Sequence, residues 1–301
     1  MNSYDVTIFG IDITLNPVAF TLPFGDGWKV YWYGIIIATG FLLALIYAYF
    51  NYKRFGLNLD RALDVILVTT PVAILCARAY YVIFDDKKLE SFGEFFGFGD
   101  NSGFAGLGIY GGVIGAFVTG FLMCKLRKVK FTDMFDIAAL GFLIGQGIGR
   151  WGNFVNQEAY GALTGSSWWG MQSDVTIKEM GEGLVHPCFL YESIWCLTGF
   201  VVIHYLSKKR KFSGEVFLMY LAWYGFGRAI IEPLRTDSLM IGSFRVSCLL
   251  AILLCISSVI AIVVIRKKLK VNDGEYKNLF EEDTEQETQE VLEVEENVQA
   301  D

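Results

Sequence analysis

Residues 31–50 read YWYGIIIATGFLLALIYAYF, twenty residues without a charge. An α-helix rises about 1.5 Å per residue, so this run can cross the roughly 30 Å hydrocarbon layer of a bilayer. Working outward from it, comparable apolar stretches recur at about 62–84, 104–124, 134–149, 187–206, 216–231 and 244–265. The fourth and sixth are short. The fourth contains GFLIGQGIGR (141–150), which suggests a partly broken helix whose end lines a protected polar cavity. The expected fold is an all-α polytopic integral membrane protein with about seven transmembrane helices.

Composition points the same way, because the 301 residues are 53% hydrophobic and 16% aromatic, with a mean hydropathy of +0.42. The six cysteines show no CxxC spacing, His186 and His204 are the only histidines, and no GxxxxGK[ST] loop is present. These features argue against a disulfide framework, a metal site and nucleotide chemistry, so no cofactor, no metal and no nucleic-acid partner are expected. Residues 1–30 carry Asp5, Asp12 and Asp26 and lack a basic start followed by an apolar block. A cleavable signal peptide is therefore not expected, and the first spanning helix should direct insertion.

The formal charge of −7 is misleading. Residues 271–301 hold twelve Asp or Glu against one lysine, Lys277, so the rest of the chain is positive. Residues 269–301, with EEDTEQETQEVLEVEE at 281–296, read as an acidic disordered cytoplasmic tail. Lys53, Arg54 and Arg61 follow the first span, Lys125, Arg127, Lys128 and Lys130 the third, Lys208, Lys209, Arg210 and Lys211 the fifth, and Arg266, Lys267, Lys268 and Lys270 the last. The positive-inside rule places these connections in the cytoplasm. The N-terminus then lies outside, with residues 1–30 as an extracytoplasmic arm, residues 31–268 as the membrane domain, and outer loops at 85–103, 150–186 and 232–243.

Isolated arginines on the outer side gather polar company. In GRWGNFVNQEAYG (149–161), Arg150, Asn153, Asn156, Glu158 and Gly161 fall where the fourth span leaves the membrane. A guanidinium stays charged and can give two hydrogen bonds to one phosphate, so Arg150 with Asn153 suits a phosphodiester. Snorkelling to headgroups is the plain alternative for one interfacial arginine, but the polar cluster favours a site. In YGFGRAIIEPLRTD (224–237), Tyr224, Arg228 and Glu232 share one helical face, and Pro233 ends the helix. Arg228 and Glu232 suit an i, i+4 ion pair that could also fix the arginine's orientation. HPCFLYES (186–193) places His186, Tyr191 and Glu192 at the outer start of the fifth span, with helix capping and an aromatic belt as the plainer reading.

Smaller signals are Tyr33 in VYWYG (30–34) and Arg78 in CARAYYVIF (76–84), whose partner the sequence does not name. The glycines of GLGIYGGVIGAF (106–117) and GFLIGQGIGRWGN (141–153) suit close helix packing, with Gly111 and Gly112 beside Tyr110 better placed to line a site. Trp168 and Trp169 read as interface anchors.

Taken in order, WYG, ARAYYVIF, YGGVIGAF, GRWGNFVNQEAYG, HPCFLYES and GRAIIEPLRTD resemble the bacterial prolipoprotein diacylglyceryl transferases, over roughly residues 15–268. The resemblance implies a multi-pass enzyme of the bacterial cytoplasmic membrane with its active site towards the extracytoplasmic side. Its substrates would be phosphatidylglycerol and preprolipoproteins whose signal peptides carry a lipobox cysteine. A diacylglyceryl group would pass to the cysteine thiol, forming a thioether and releasing glycerol 1-phosphate. By motif, Arg150 and Asn153 would bind the headgroup and Arg228, supported by Glu232, would stabilise the departing phosphate. Glu158 and Gly161 would shape the site, and Tyr33 would line it. Many members have a histidine before the Gly-Gly pair where this chain has Tyr110, which leaves substrate orientation to that tyrosine and makes His186 or Glu192 the candidate proton acceptor. The rival readings are a secondary transporter, which usually holds its site at the midplane between repeats, and a non-catalytic scaffold.

Overall fold

The computed structural model describes residues 3–23, 28–84, 95, 106–236, 240–241 and 244–269. The acidic tail beyond residue 269, the outer loop 85–103 apart from Phe95, and Asp237 lie outside the described residues. Helices follow the apolar runs: α1 (Trp32–Asn51), α2 (Leu59–Phe84), α3 (Ile109–Leu126), α4 (Phe131–Asn156), a short α5 (Asp174–Met180), α6 (Cys188–Ser207), α7 (Glu215–Ile231) and α8 (Val246–Leu269). Among the described residues six of them, α1, α2, α3, α4, α6 and α8, are long and apolar enough to cross a membrane. At 17 residues, α7 falls just short of the length of the other six.

The expected break in the fourth span is absent, since α4 runs without interruption for 26 residues. In lipid an unsatisfied peptide group costs several kcal/mol, so a glycine-rich stretch keeps its helical hydrogen bonds when neighbouring helices pack against it. The glycines supply that packing. Gly141 faces Ala44, Gly149 faces Ile37 and Gly152 lies under the Tyr33 ring, all on α1, while Gly147 meets Leu197 and the Ser193 carbonyl of α6.

The chain divides into two compact units, residues 49–135 and the remainder. In the smaller, α2 and α3 form a tight hairpin. Gly111 fits against the Cys76 carbonyl and Tyr80 Cβ, Gly115 against the Cys76 side chain, and the Gly108 amide donates to the Ala77 carbonyl at 2.9 Å. Arg78 finds its partners here: Nε donates to the Phe95 carbonyl at 3.1 Å and Nη1 to the Gly106 carbonyl at 3.0 Å, with the guanidinium 5.6 Å from the Tyr81 ring centre. At the other end of the hairpin, Arg127 pairs with Asp64.

The larger unit adds strands that the helical expectation did not include. Strands β1 (Tyr4–Ile8), β2 (Ile11–Leu15) and β5 (Met171–Ser173) make an antiparallel sheet in the order β2-β1-β5. The β1–β2 connection is a two-residue turn with both φ angles positive, Phe9 at +52° and Gly10 at +80°, as a primed hairpin turn requires. Val6, Met171 and Val185 bury against Phe154, Tyr160 and Phe189, which fixes the sheet on the α4 exit and the α6 entry. A second hairpin, β3 (Val18–Leu22) with β4 (Trp28–Tyr31), leads into α1, and β6 (Met240–Ile241) with β7 (Phe244–Arg245) leads into α8.

Helices α6 and α7 are joined by a reciprocal clasp. Trp195 Nε1 donates to the Trp223 carbonyl and Trp223 Nε1 to the Trp195 carbonyl, both at 3.0 Å, with the indoles stacked at 4.5 Å. Each indole needs the glycine four residues after the other: Gly227 leaves room for Trp195 and Gly199 for Trp223. The clasp fixes the register of α6 on α7, and with it the distance between Glu192 and Arg228.

Candidate active site

Glu192, one turn into α6, is the centre of the site. Its side chain is only 5% exposed. Oε2 pairs with Arg150 Nη2 at 2.5 Å, and Oε1 accepts from Arg228 Nη1 at 2.9 Å and Arg235 Nη1 at 2.8 Å. Three guanidinium groups from two separate sequence motifs thus converge on one buried carboxylate supplied by a third. Arg228 also reaches Glu232 Oε2 at 2.7 Å through the i, i+4 pair that the helical spacing implied. Because Pro233 cannot continue the helix, the chain turns into a short 3-10 segment, Glu232–Leu234, and this turn swings Arg235 back onto Glu192. Arg245 donates to the carbonyls of Glu232 and Arg235, the latter at 3.0 Å, and so holds that turn in place.

The α4 exit builds the opposite wall. Arg150 Nη1 donates to Asn153 Oδ1 at 3.2 Å, and Asn153 Nδ2 donates to Glu158 Oε1 at 2.8 Å. The chain reverses through Gln157 and Ala159, non-glycine residues at φ +53° and +57°, conformations that cost energy and concentrate at functional sites. That reversal sets the Glu158 amide on the Asn153 carbonyl at 3.0 Å. Tyr33, at the start of α1, lies against Gly152 and within electrostatic reach of Arg150 and Glu158.

Gly161 ties the walls together. Its amide donates to the His186 carbonyl at 2.9 Å, it bridges to Arg235, and the next amide, Ala162, donates to the Leu234 carbonyl at 2.8 Å. A methyl group at Gly161 would meet His186 Cβ at 2.7 Å, the Leu234 carbonyl oxygen at 2.7 Å and Cys188 Sγ at 2.9 Å. Three motifs distant in sequence therefore meet where only glycine fits.

Of the residues singled out in the sequence, Tyr33, Arg150, Asn153, Glu158, Gly161, His186, Arg228 and Glu232 belong to the larger unit and line this network. Tyr110, Gly111 and Gly112 belong to the smaller unit. There Tyr110 is exposed, Gly111 is taken up in packing against α2, and Gly112 makes ordinary contact with Ala77. Sequence reasoning left Arg235 and Arg245 unassigned and gave Glu192 a different part. The signal that could have found them is stoichiometric: several arginines near apolar helix ends require buried carboxylates, and few are available.

The sequence matches the model of the prolipoprotein diacylglyceryl transferase family over residues 17–264. The chain belongs to that family. Among its relatives, a phosphatidylglycerol–prolipoprotein diacylglyceryl transferase of Bacillus cereus is 46% identical over 268 residues, 87% of this chain and 96% of the relative. The enzyme of the same name from Limosilactobacillus reuteri is 41% identical over 266 residues, 86% and 94% of the two chains, and that of Bacillus cytotoxicus is 43% identical over 243 residues, 79% and 88%. Membership in this family of transferases sets the transporter reading aside, and the arginine network lies within the matched span.

Proposed function

We propose that the chain transfers the diacylglyceryl group of phosphatidylglycerol to the lipobox cysteine of preprolipoproteins, at the extracytoplasmic end of seven spanning helices with the N-terminus outside. The observation that carries this reading is the convergence of Arg150, Arg228 and Arg235 on Glu192. The Arg150 and Arg228 side chains keep 22% and 16% of their surface exposed, so both can still reach an incoming anion while Glu192 anchors them.

In the reaction, the bond between the glyceride carbon and its phosphate oxygen breaks and a carbon–sulfur bond forms. The thiol proton balances the charge of the departing glycerol 1-phosphate. The nucleophile belongs to the substrate, so the protein supplies alignment, thiolate stabilisation and a preorganised cationic cradle for the phosphate. Arg150 with Asn153 holds the headgroup, Arg228 fixed by Glu232 meets the charge that develops on the leaving oxygen, and Tyr33 and Glu158 shape the entrance. Tyr110 orients substrate through its hydroxyl, with Gly111 and Gly112 beside it. His186 acts beside Gly161, either taking the thiol proton or donating to the phosphate. Both oxygens of Glu192 are occupied by guanidinium groups, so it acts as an anchor and not as a proton acceptor.

The test is a mass shift of one diacylglyceryl unit on a lipobox peptide incubated with purified protein and phosphatidylglycerol. Lysine keeps the charge at position 228 but loses the fork that reaches Glu192 and Glu232 together. Arg228→Lys should therefore lose about 100-fold or more in kcat/KM, equivalent to roughly 2.7 kcal/mol of transition-state stabilisation. Full activity in that variant would remove the arginine cradle from the mechanism.

A further inference from the structure

A chain of aromatic rings runs from the N-terminal hairpin to His186. Phe9, in the left-handed conformation at the β1–β2 turn, sits 4.7 Å from the Trp169 ring, and its amide donates to the Gly170 carbonyl at 3.1 Å. Trp169 lies parallel to Tyr191, with an interplanar angle of 5° and centroids 6.3 Å apart, and its Nε1 donates to Tyr191 Oη at 2.7 Å. Tyr191 Oη is in turn 3.2 Å from His186 Nδ1.

The direction of these bonds follows from donor chemistry. An indole N–H can only donate, so Tyr191 Oη accepts from Trp169 and keeps its own proton to give. A hydroxyl that accepts one hydrogen bond becomes a better donor in the next, which favours donation to His186 Nδ1. An imidazole whose Nδ1 lone pair is engaged in this way carries its proton on Nε2, since the bond made by one ring nitrogen sets the state of the other.

We infer that Trp169 and Tyr191 are positioning residues that hold neutral His186 as the Nε2–H tautomer, making it a hydrogen-bond donor to the glycerol phosphate and not the base for the thiol. The catalytic half of this statement rests on the transfer reading above; the tautomer itself does not. A neutral imidazole donating through Nε2 can stabilise developing negative charge without exchanging a proton. The strained backbone of Phe9 fits the same arrangement, since only the hairpin turn brings its ring onto Trp169 and braces the relay from the far side.

The chain has two histidines, so His204→Gln leaves His186 as the sole imidazole. His204 hydrogen bonds to Tyr47 at the opposite end of α6, away from this network. Nitrogen-15 NMR of the histidine-labelled His204→Gln protein in phosphatidylcholine nanodiscs at neutral pH reads the tautomer without any turnover. The expected spectrum has a protonated Nε2 and a bare, hydrogen-bonded Nδ1. Tyr191→Phe should move the Nδ1 resonance towards that of an unbonded nitrogen. Trp169→Phe, a change at a partly exposed ring, should move it part of the way, and kcat should fall in both variants with KM for phosphatidylglycerol held. A protonated Nδ1, or an Nδ1 resonance indifferent to both substitutions, would overturn the inference. The expected spectrum in a protein that transfers nothing would sink the transfer reading and leave the tautomer standing; transfer with the opposite tautomer would do the reverse.

Discussion

Two buried charge clusters sit at opposite ends of α6 and α7, and they are built on different stoichiometries. At the far end, Asp136 is fully buried and saturated: it pairs with Arg210 at 2.9 Å and accepts from the Gly214 and Phe217 amides, each at 2.9 Å. Beside it Glu215, also fully buried, accepts from the Lys211 amide at 2.5 Å and pairs with Arg266. There Asp136 and Glu215 each meet a guanidinium of their own and accept from backbone amides. At the near end three guanidinium groups share two carboxylates, Glu192 and Glu232, and all three meet on Glu192. The first arrangement is closed and works as a fastener. The second carries surplus positive charge in a place shielded from water, which suits it to receive an anion.

The largest expected effect breaks the second cluster at its centre. Glu192→Gln keeps the shape and removes the charge that three arginines share. Removing one partner of a buried ion network costs about 3–5 kcal/mol. Transfer to a lipobox peptide should fall by about three orders of magnitude, with a lower melting temperature in detergent. If Glu192→Gln transfers at the parent rate, the arginines are held by something other than this carboxylate.

Next in size is Gly161, the joint of the site. Gly161→Ala places a methyl group against a carbonyl oxygen, a β-carbon and a sulfur, all under 3.0 Å, and should cut activity about 100-fold by displacing His186 or Leu234. The control is Gly145→Ala, also in the larger unit, where a methyl meets nothing within 4 Å. That variant should match the parent in activity and gain a few tenths of a kcal/mol in stability from helix propensity. Equal losses in the two variants would show that glycine content, and not the joint, is what matters.

The same contrast explains what was legible in the sequence. Helix positions were, because a run such as 31–50 has one economical place to go in a bilayer, and α1 spans Trp32–Asn51. The i, i+4 pair of Arg228 and Glu232 was legible because helical geometry is local. The convergence on Glu192 was not, since it depends on a clasp between Trp195 and Trp223 and on a 3-10 turn after Ile231, neither of which has a periodic signature. The unbroken α4 was missed for a related reason: glycine marks both a helix break and a helix contact, and Ala44, Ile37 and Tyr33 on the neighbouring helix decide which. The run Lys208, Lys209, Arg210, Lys211 reads as four charges facing the cytoplasm, yet Arg210 and Lys211 are each only 8% exposed. Charge counting carries no information on the direction in which a side chain points.

The smallest expected effect on chemistry comes from the fastener. In Asp136→Asn only one of the Gly214 and Phe217 amides keeps an acceptor, because the two bind different carboxylate oxygens, and Arg210 loses its charge partner in a buried setting. Stability should drop by about 3 kcal/mol or more, seen as a lower melting temperature and reduced yield from membranes. Each folded molecule should still transfer within about twofold of the parent, because α6 is about 30 Å long and the Trp195–Trp223 clasp and the Glu192 network hold the near end independently. The diagnostic quantity is the ratio of activity to folded protein. A loss of activity per folded molecule that parallels the loss of stability would mean that α6 and α7 transmit strain from one cluster to the other, and that the two ends form one device instead of a fastener and a site.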